Sequence, residues 1–284
     1  MRYIFLAVIV SVLFITSCNV INPAEDVPTY VYLDSINFKI NEPLKEGSAS
    51  QKITSAWVYF NNDLVGAFEL PCRVPVLGIN GGTVRVAPGV TYAGLSQENQ
   101  YAFFEGDTFT IAPTEVGKVV HHVPTVTYTS ETKFPFKEDF ETGNSFQSLT
   151  DLETDTTIVR TDDKANVFEG GGSGYIVVDA SHPTSENISN KGFPIKQGSA
   201  FVELNYKCNT SFQVGLITNY NGALIPQYLG GVKAREGWNK IYIDLSTFTS
   251  SYPTTQYFLI IKTGLDDGLT NGYVLLDNIK VLTY

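Results

Sequence analysis

The chain predicts an all-β fold, two β-sandwich domains following a cleaved signal peptide, and three observations predict it. Apolar and polar residues alternate with a period of two in runs of mostly five to eight residues, the spacing at which successive side chains of a strand point to opposite faces. These runs are separated by Gly, Asn, Ser and Pro, which supply turn geometry. No 3.6-residue apolar period lasts beyond a turn or so. With 284 residues, 43% hydrophobic and 13% aromatic, the chain holds enough apolar material for one or two cores.

The amino terminus comes first. "MRYIFLAVIVSVLFITSC" has one early cation, Arg2, then an apolar run from Tyr3 to Ile15 broken only by Ser11. A spanning helix needs about 20 apolar residues, whereas the apolar region of a secretory signal has about 7 to 15. Residues 1–17 therefore read as a signal peptide. Ile15-Thr16-Ser17-Cys18 places an aliphatic and two small residues directly before a cysteine, which resembles the bacterial lipobox. The resemblance implies cleavage after Ser17 and a diacylglyceryl group on Cys18, with further acylation of the new amino group. The expected location is the outer membrane, with the chain lipid-anchored and exposed at the cell surface. Two or more acyl chains hold a protein stably where one does so only marginally. Residues 18–28, with two prolines and two acids, suit a lipidated tether.

Removing residues 1–17 takes away Arg2 and no acid, so the formal charge goes from −10 to −11. That balance repels nucleic acid and anionic headgroups, which leaves membrane attachment to the lipid. Beyond Cys18, the remaining cysteines are Cys72 and Cys208. An even pair in an exported chain invites a disulfide. Their separation of 136 positions, across a predicted domain boundary, favours two separate buried thiols.

From Thr29 the pattern is strand-like. "YVYLDSINFKI" alternates, and "ITSAWVYFNNDLVGAFELP" is two apolar runs joined by Asn61-Asn62-Asp63, a β-hairpin signal. With Pro71, "VPVL", Gly81-Gly82 and "TVRVAPG", residues Ile53 to Pro88 resemble PEGA-type and related Ig-like small β-domains. Such modules are spacers or docking platforms, so the resemblance implies no catalytic residues. Strands continue through "AFFEGDTFTI" and "VTYTSETKF", giving an Ig-like domain over 29–131.

Residues 132–284 form a second antiparallel sandwich through "GSGYIVVDA", "SAFVELNYKCN", "SFQVGLITNYNG", "GWNKIYIDLS" and "QYFLIIKTG". In "KIYIDL", Ile241, Ile243 and Leu245 share one face and Tyr242 and Asp244 the other. The opening "EDFETG", "GWNKIYIDLS" and the closing "LLDNIKV" resemble jelly-roll carbohydrate-binding modules.

Catalysis has little to stand on. The histidines are His121, His122 and His182, the first two on opposite faces of any strand. No H-E-x-x-H, C-x-x-C, G-x-S-x-G or P-loop occurs. The jelly-roll resemblance implies binding instead of hydrolysis, and a structural calcium between first and last strands, with Asp277 and Asp139 or Glu141 as ligands. The apolar phase changes across Asp277-Asn278, which predicts a bulge that re-aims the acid. Glycan recognition needs exposed rings beside polar groups. Tyr220, Tyr228 and Tyr252, in loop-like stretches, are the platform candidates, while Trp57 and Trp238 sit in strand patterns and are expected in the core. Asp34-Ser35-Ile36 and Asp155-Thr156-Thr157 match a short O-glycosylation pattern, marking Ser35 and Thr156. Two functions remain open. One is a non-catalytic lipid-anchored envelope protein binding glycan or a protein partner; the other is a structural subunit of an outer-membrane complex with no small ligand.

Overall fold

The computed structural model describes residues 27–78, 80–93, 98–150, 155–196 and 198–284. Cys18, the expected signal peptide and most of the expected tether therefore lie outside the described residues. The N-terminal half runs β1 (Thr29–Leu33), β2 (Asn37–Phe38), α1 (Pro43–Glu46), β3 (Ser55–Phe60), β4 (Asp63–Glu69), β5 (Cys72–Val76) and β6 (Gly82–Thr91). It continues with β7 (Glu98–Gln100), β8 (Phe104–Glu105), β9 (Asp107–Ile111), β10 (Val119–His122) and β11 (Thr125–Tyr128). The alternation of β1 buries Val31 and Leu33 and turns Tyr30 and Tyr32 outward. A sheet ordered β10-β1-β5 packs on one ordered β4-β3-β6-β7, with β9 also on β6, around Val58, Val74, Val84 and Val86. The hairpin is found where the sequence places it. Asn61 and Asn62 have φ of 50° and 74°, the left-handed pair that a two-residue turn of matching twist requires.

The C-terminal half runs β12 (Lys133–Glu138), β13 (Phe146–Ser148), β14 (Asp155–Thr156), β15 (Val159–Thr161), β16 (Ser173–Asp179), β17 (Thr184–Ser189) and β18 (Ala200–Cys208). It ends with β19 (Phe212–Tyr220), β20 (Ala223–Val232), β21 (Arg235–Asp244), α2 (Ser246–Ser251), β22 (Tyr257–Gly264) and β23 (Asn271–Thr283). One six-stranded sheet has the order β15-β16-β23-β18-β21 with β12 on β23. The other has β13-β17-β22-β19-β20 with β14 on β17. Val202, Leu204, Val214, Leu216, Leu259 and Ile261 fill the space between them. Cys208 lies in this core and Cys72 is half-buried in the other half; both are free thiols.

The halves share a buried boundary that the sequence does not announce. Phe201, Tyr242 and Leu282, on the side of the first sheet turned away from its own core, pack with Val90, Tyr101, Phe103, Phe104 and Tyr128 of the N-terminal half. Tyr101 meets Tyr242 and Phe201 edge-on, at centroid distances of 5.0 and 5.4 Å, a favoured aromatic geometry. Inside this cluster Glu203 is fully buried. It accepts hydrogen bonds from Tyr101 Oη (2.8 Å) and Tyr128 Oη (3.0 Å). Lys240 Nζ lies 3.1 Å away as an ion pair outside hydrogen-bond geometry. The segment after α1 also crosses this face: Asn205 Nδ2 donates to Ser50 Oγ (2.8 Å) and the Lys52 amide to Tyr242 Oη (2.9 Å). We call the covered sheet the docked sheet and its partner the open sheet.

Deleting one member of a buried ion pair costs about 3–5 kcal/mol, because the other charge stays behind unpaired. Glu203→Ala is therefore expected to destabilise the whole chain by that amount in urea unfolding. A loss below about 1 kcal/mol would show that water reaches the boundary.

Candidate functional site

On the open sheet the inward residues of β17, β22, β19 and β20 belong to the core, and the register groups the outward ones into rows. One row is Glu186, Lys262, Gln213 and Gly231; the next is Ile188, Ile260, Gly215 and Tyr228. Tyr228 Oη donates to a carboxylate oxygen of Glu186 although β19 and β22 lie between their strands. Three strand spacings amount to about 14 Å of sheet, so the face must be concave for these side chains to meet. The ring lies over the middle of the sheet, and Ile260, outward by register, is fully buried. Lys262 Nζ sits 3.7 Å from Glu186 and 5.9 Å from the centre of the Tyr228 ring. Burial and, next, the bond to Glu186 raise the Tyr228 pKa, so the phenol remains a donor. Gly215 makes the approach possible. A Cβ there would stand 2.0 Å from the Gln227 carbonyl oxygen and 2.7 Å from Tyr228 Cα, at a bulge where β19 and β20 shift register.

Hollows flank this ring on the same face. One, of about 430 Å³, has an apolar floor of Leu149, Ile188, Ile217 and Phe258, rimmed by Asn219, Leu224, Thr254, Thr255 and Gln256. The other, of about 390 Å³, presents Thr184, Ser211, Gln213, Lys233 and Lys262. Among the described residues, neither is lined by an Asp or Glu. The face thus offers one apolar aromatic surface between two sets of hydrogen-bonding groups.

The three tyrosines singled out from sequence part company. Tyr228 belongs to β20, not a loop, and is the ring on the open face. Tyr220 and Tyr252 instead meet each other edge-on at 5.5 Å, and Tyr252 packs on Phe248 at 5.2 Å, beside the core at the end of the sandwich. Trp57 and Trp238, expected in the core, are half-buried and belong to no core cluster; Trp238 leans on Phe168. Both occupy outward strand positions, which alternation alone does not distinguish from inward ones. Ser35 is exposed between β1 and β2, whereas Thr156 is half-buried in β14 beside Asp155, whose carboxylate accepts from Thr150 and Thr184. His122 pairs with Asp107 at 2.7 Å and stacks on Phe109.

The predicted bulge at Asp277-Asn278 is present: the β18–β23 register shifts there, and Asn278 takes φ 48°. Asp277 is buried, accepting from Ser173 Oγ (2.6 Å) and the Asn278 amide (2.7 Å). Glu141 turns to the Gly171 amide (2.8 and 2.9 Å), and Asp139 caps the Glu141 amide (3.1 Å). Among the described residues no three His, Cys, Asp or Glu side chains converge to hold a metal. Asp277, Asp139 and Glu141 each have hydrogen-bond partners of their own. The two domain ends are joined through residues 169–173. Asn278 Nδ2 donates to Glu169 (2.8 Å), and Arg160 donates to the carbonyls of Phe140 and Gly171 (2.7 Å each). A guanidinium with fixed fork geometry thus links two backbone carbonyls near these ends.

No family model matches the chain, and no curated protein matches it. Among solved structures it is similar to TmCBM61 in complex with beta-1,4-galactotriose, at 13% identity and TM-score 0.36 over 51% of this chain and 94% of that one. A xylan-binding domain from CBM 22 gives 10% identity and TM-score 0.37 over 53% and 94%. The K3 adhesin domain of Lys-gingipain from Porphyromonas gingivalis w83 gives 12% and 0.38 over 54% and 99%. All three scores fall below 0.5, and the functional reading is taken from the groove itself.

Burial, and secondarily the nearby Glu169, pushes the Asp277 carboxyl up to about 7. A folded value above the unfolded one, about 3.9, gives stability that is complete below pH 4 and lost as pH rises through 7. Each pH unit across that window removes up to about 1.4 kcal/mol. Asp277→Asn should remove this slope, seen as the difference between variant and parent in urea midpoints from pH 4 to 8. Arg160 holds the ends through two backbone carbonyls, so Arg160→Ala should lower the melting temperature by several degrees.

Proposed function

We propose that the chain is a non-catalytic, lipid-anchored protein of the cell envelope that binds glycan on the open sheet of its C-terminal jelly roll. The observation that carries this is the Tyr228 ring, held over a concave face by Glu186 and Lys262 with polar groups on both sides. Sugar rings have apolar C–H faces that stack on an aromatic ring, while their hydroxyls need donors and acceptors in the same plane. The face supplies both. Most glycoside hydrolases use two carboxylic acids across the scissile bond. Glu186 is engaged by Tyr228 and Lys262, and among the described residues the hollows add no second acid, which supports binding without turnover. The lipobox-like "ITSC" supports attachment to the outer membrane through Cys18. Leu224, 70% exposed above the apolar hollow, favours a second reading, in which an apolar side chain of a protein partner fills that end.

A glycan array screened with residues 19–284 tests the first reading. Binding should be found, and Tyr228→Ala should weaken it at least tenfold without lowering the melting temperature by more than a few degrees. Ile217→Ala should weaken it less. An array with no bound glycan, together with a partner lost on Leu224→Ser, would transfer the function to the second reading.

A further inference from the structure

The sheet β10-β1-β5 turns one face into the N-terminal core and, among the described residues, leaves the other without a partner. Outward lie Tyr30 and Tyr32 from β1, Arg73 and Pro75 from β5, and Val119 and His121 from β10. The register sets them in two rows, Val119-Tyr30-Pro75 and His121-Tyr32-Arg73. The Arg73 guanidinium lies 4.0 Å from the centre of the Tyr30 ring, and the Tyr32 and His121 rings are 5.0 Å apart. None of the three strands contributes to the aromatic cluster between the halves. At the end of this sheet where the chain comes in from Cys18, large apolar side chains stand in water: Val27 is 56% exposed, Leu77 62% and Val119 40%. They are neighbours, since Thr29 pairs with Val76 and Tyr30 with Val119. The six outward side chains include no carboxylate, in a chain with 29 acids and 19 bases.

We propose that this face rests on the lipid bilayer, with Tyr30, Tyr32 and Arg73 at headgroup level and Val27, Leu77 and Val119 entering the acyl boundary. The inference rests on the lipid anchor proposed above. Residues 19–28 separate Cys18 from Thr29, and the eleven residue steps between them reach at most about 40 Å in any conformation. The sheet that β1 centres is therefore held within that distance of the membrane, and its free face has the amphipathic rings and snorkelling cation that suit an interface. A zwitterionic surface fits, because the mature charge of −11 opposes anionic lipid whereas the face itself carries no acid to desolvate.

The test uses the mature lipidated protein in phosphatidylcholine vesicles, labelled with an environment-sensitive fluorophore at Val119→Cys or, as a control on the open sheet, at Leu224→Cys. The unsubstituted protein serves as the labelling blank. Brominated phosphatidylcholine should quench the 119 label several-fold more than the 224 label, and the Tyr30→Ser/Tyr32→Ser pair should reduce that difference while the protein still floats with the vesicles. Flotation with equal quenching at both positions overturns the docked face and leaves the anchor standing. Self-quenching between labelled copies at 119, without quenching by lipid, assigns the face to a second copy and also overturns it. Failure to float overturns the anchor and the docked face together.

Discussion

Everything in this molecule is arranged around one buried charge. Glu203 projects from the docked sheet into a space closed to bulk solvent, and its oxygens are satisfied by hydroxyls from the other half of the chain, Tyr101 and Tyr128. A carboxylate in such a place is tolerated only when paired and hydrogen-bonded. Its donors come from one half and its cation, Lys240, from the other, so the charge is properly solvated only while the halves are together. Lys280 belongs to the same group, donating to the Ser48 carbonyl (2.6 Å) and to the Tyr128 hydroxyl (3.4 Å). Burial, and then the neighbouring Lys240, pushes its amine down to about 7. Replacing either half's contribution leaves charge without partners, which is a stronger coupling than apolar contact alone would give.

That coupling decides which surfaces remain for function. A two-sheet sandwich has two outer faces, and the N-terminal half covers the one bearing Phe201, Glu203, Asn205, Tyr242, Lys280 and Leu282. The other face is left to solvent, and it is there that β19 gives up a side chain at Gly215 so that β20 can come close. Glycine costs strand stability, about 0.5–1 kcal/mol relative to alanine. A strand interior accepts that loss where something must approach the backbone. The concavity that lets Tyr228 reach Glu186 is the same concavity that forms the groove.

The two sandwiches, the Asn61-Asn62 hairpin and the Asp277-Asn278 bulge were legible because each leaves a local mark: a period of two, a turn pair, a change of apolar phase. Tyr228 was found for an incomplete reason. "ALIPQYLGGV" carries a proline and a glycine pair, which read as a loop, yet β20 is a sheet edge, where proline is accepted because no neighbour needs its N–H. Tyr220, the last residue of β19, and Tyr252 have similar surroundings in sequence but turn to each other, Tyr252 against the core, since local composition does not say which way a ring turns. Arg160 and Glu203 could not be found at all. The first acts on backbone carbonyls, which every residue has, and the second on hydroxyls 102 and 75 positions away. Neither interaction has a spacing to recognise.

The proposed membrane face and the proposed glycan groove are on different halves, so their mutual angle depends on the boundary between them. Were the halves joined only by a flexible linker, the groove could face any direction and a surface-bound glycan would be met by diffusion of the C-terminal half. The Glu203 cluster removes that freedom, because rotation about the boundary would separate Tyr101 and Tyr128 from the carboxylate and expose Phe201 and Leu282. The unfavourable step of burying a charge thus gains a physical purpose. An apolar patch tolerates sliding, whereas two hydroxyls and an ammonium around one carboxylate accept a single arrangement, and with it a single orientation of the groove relative to the face that β1 presents.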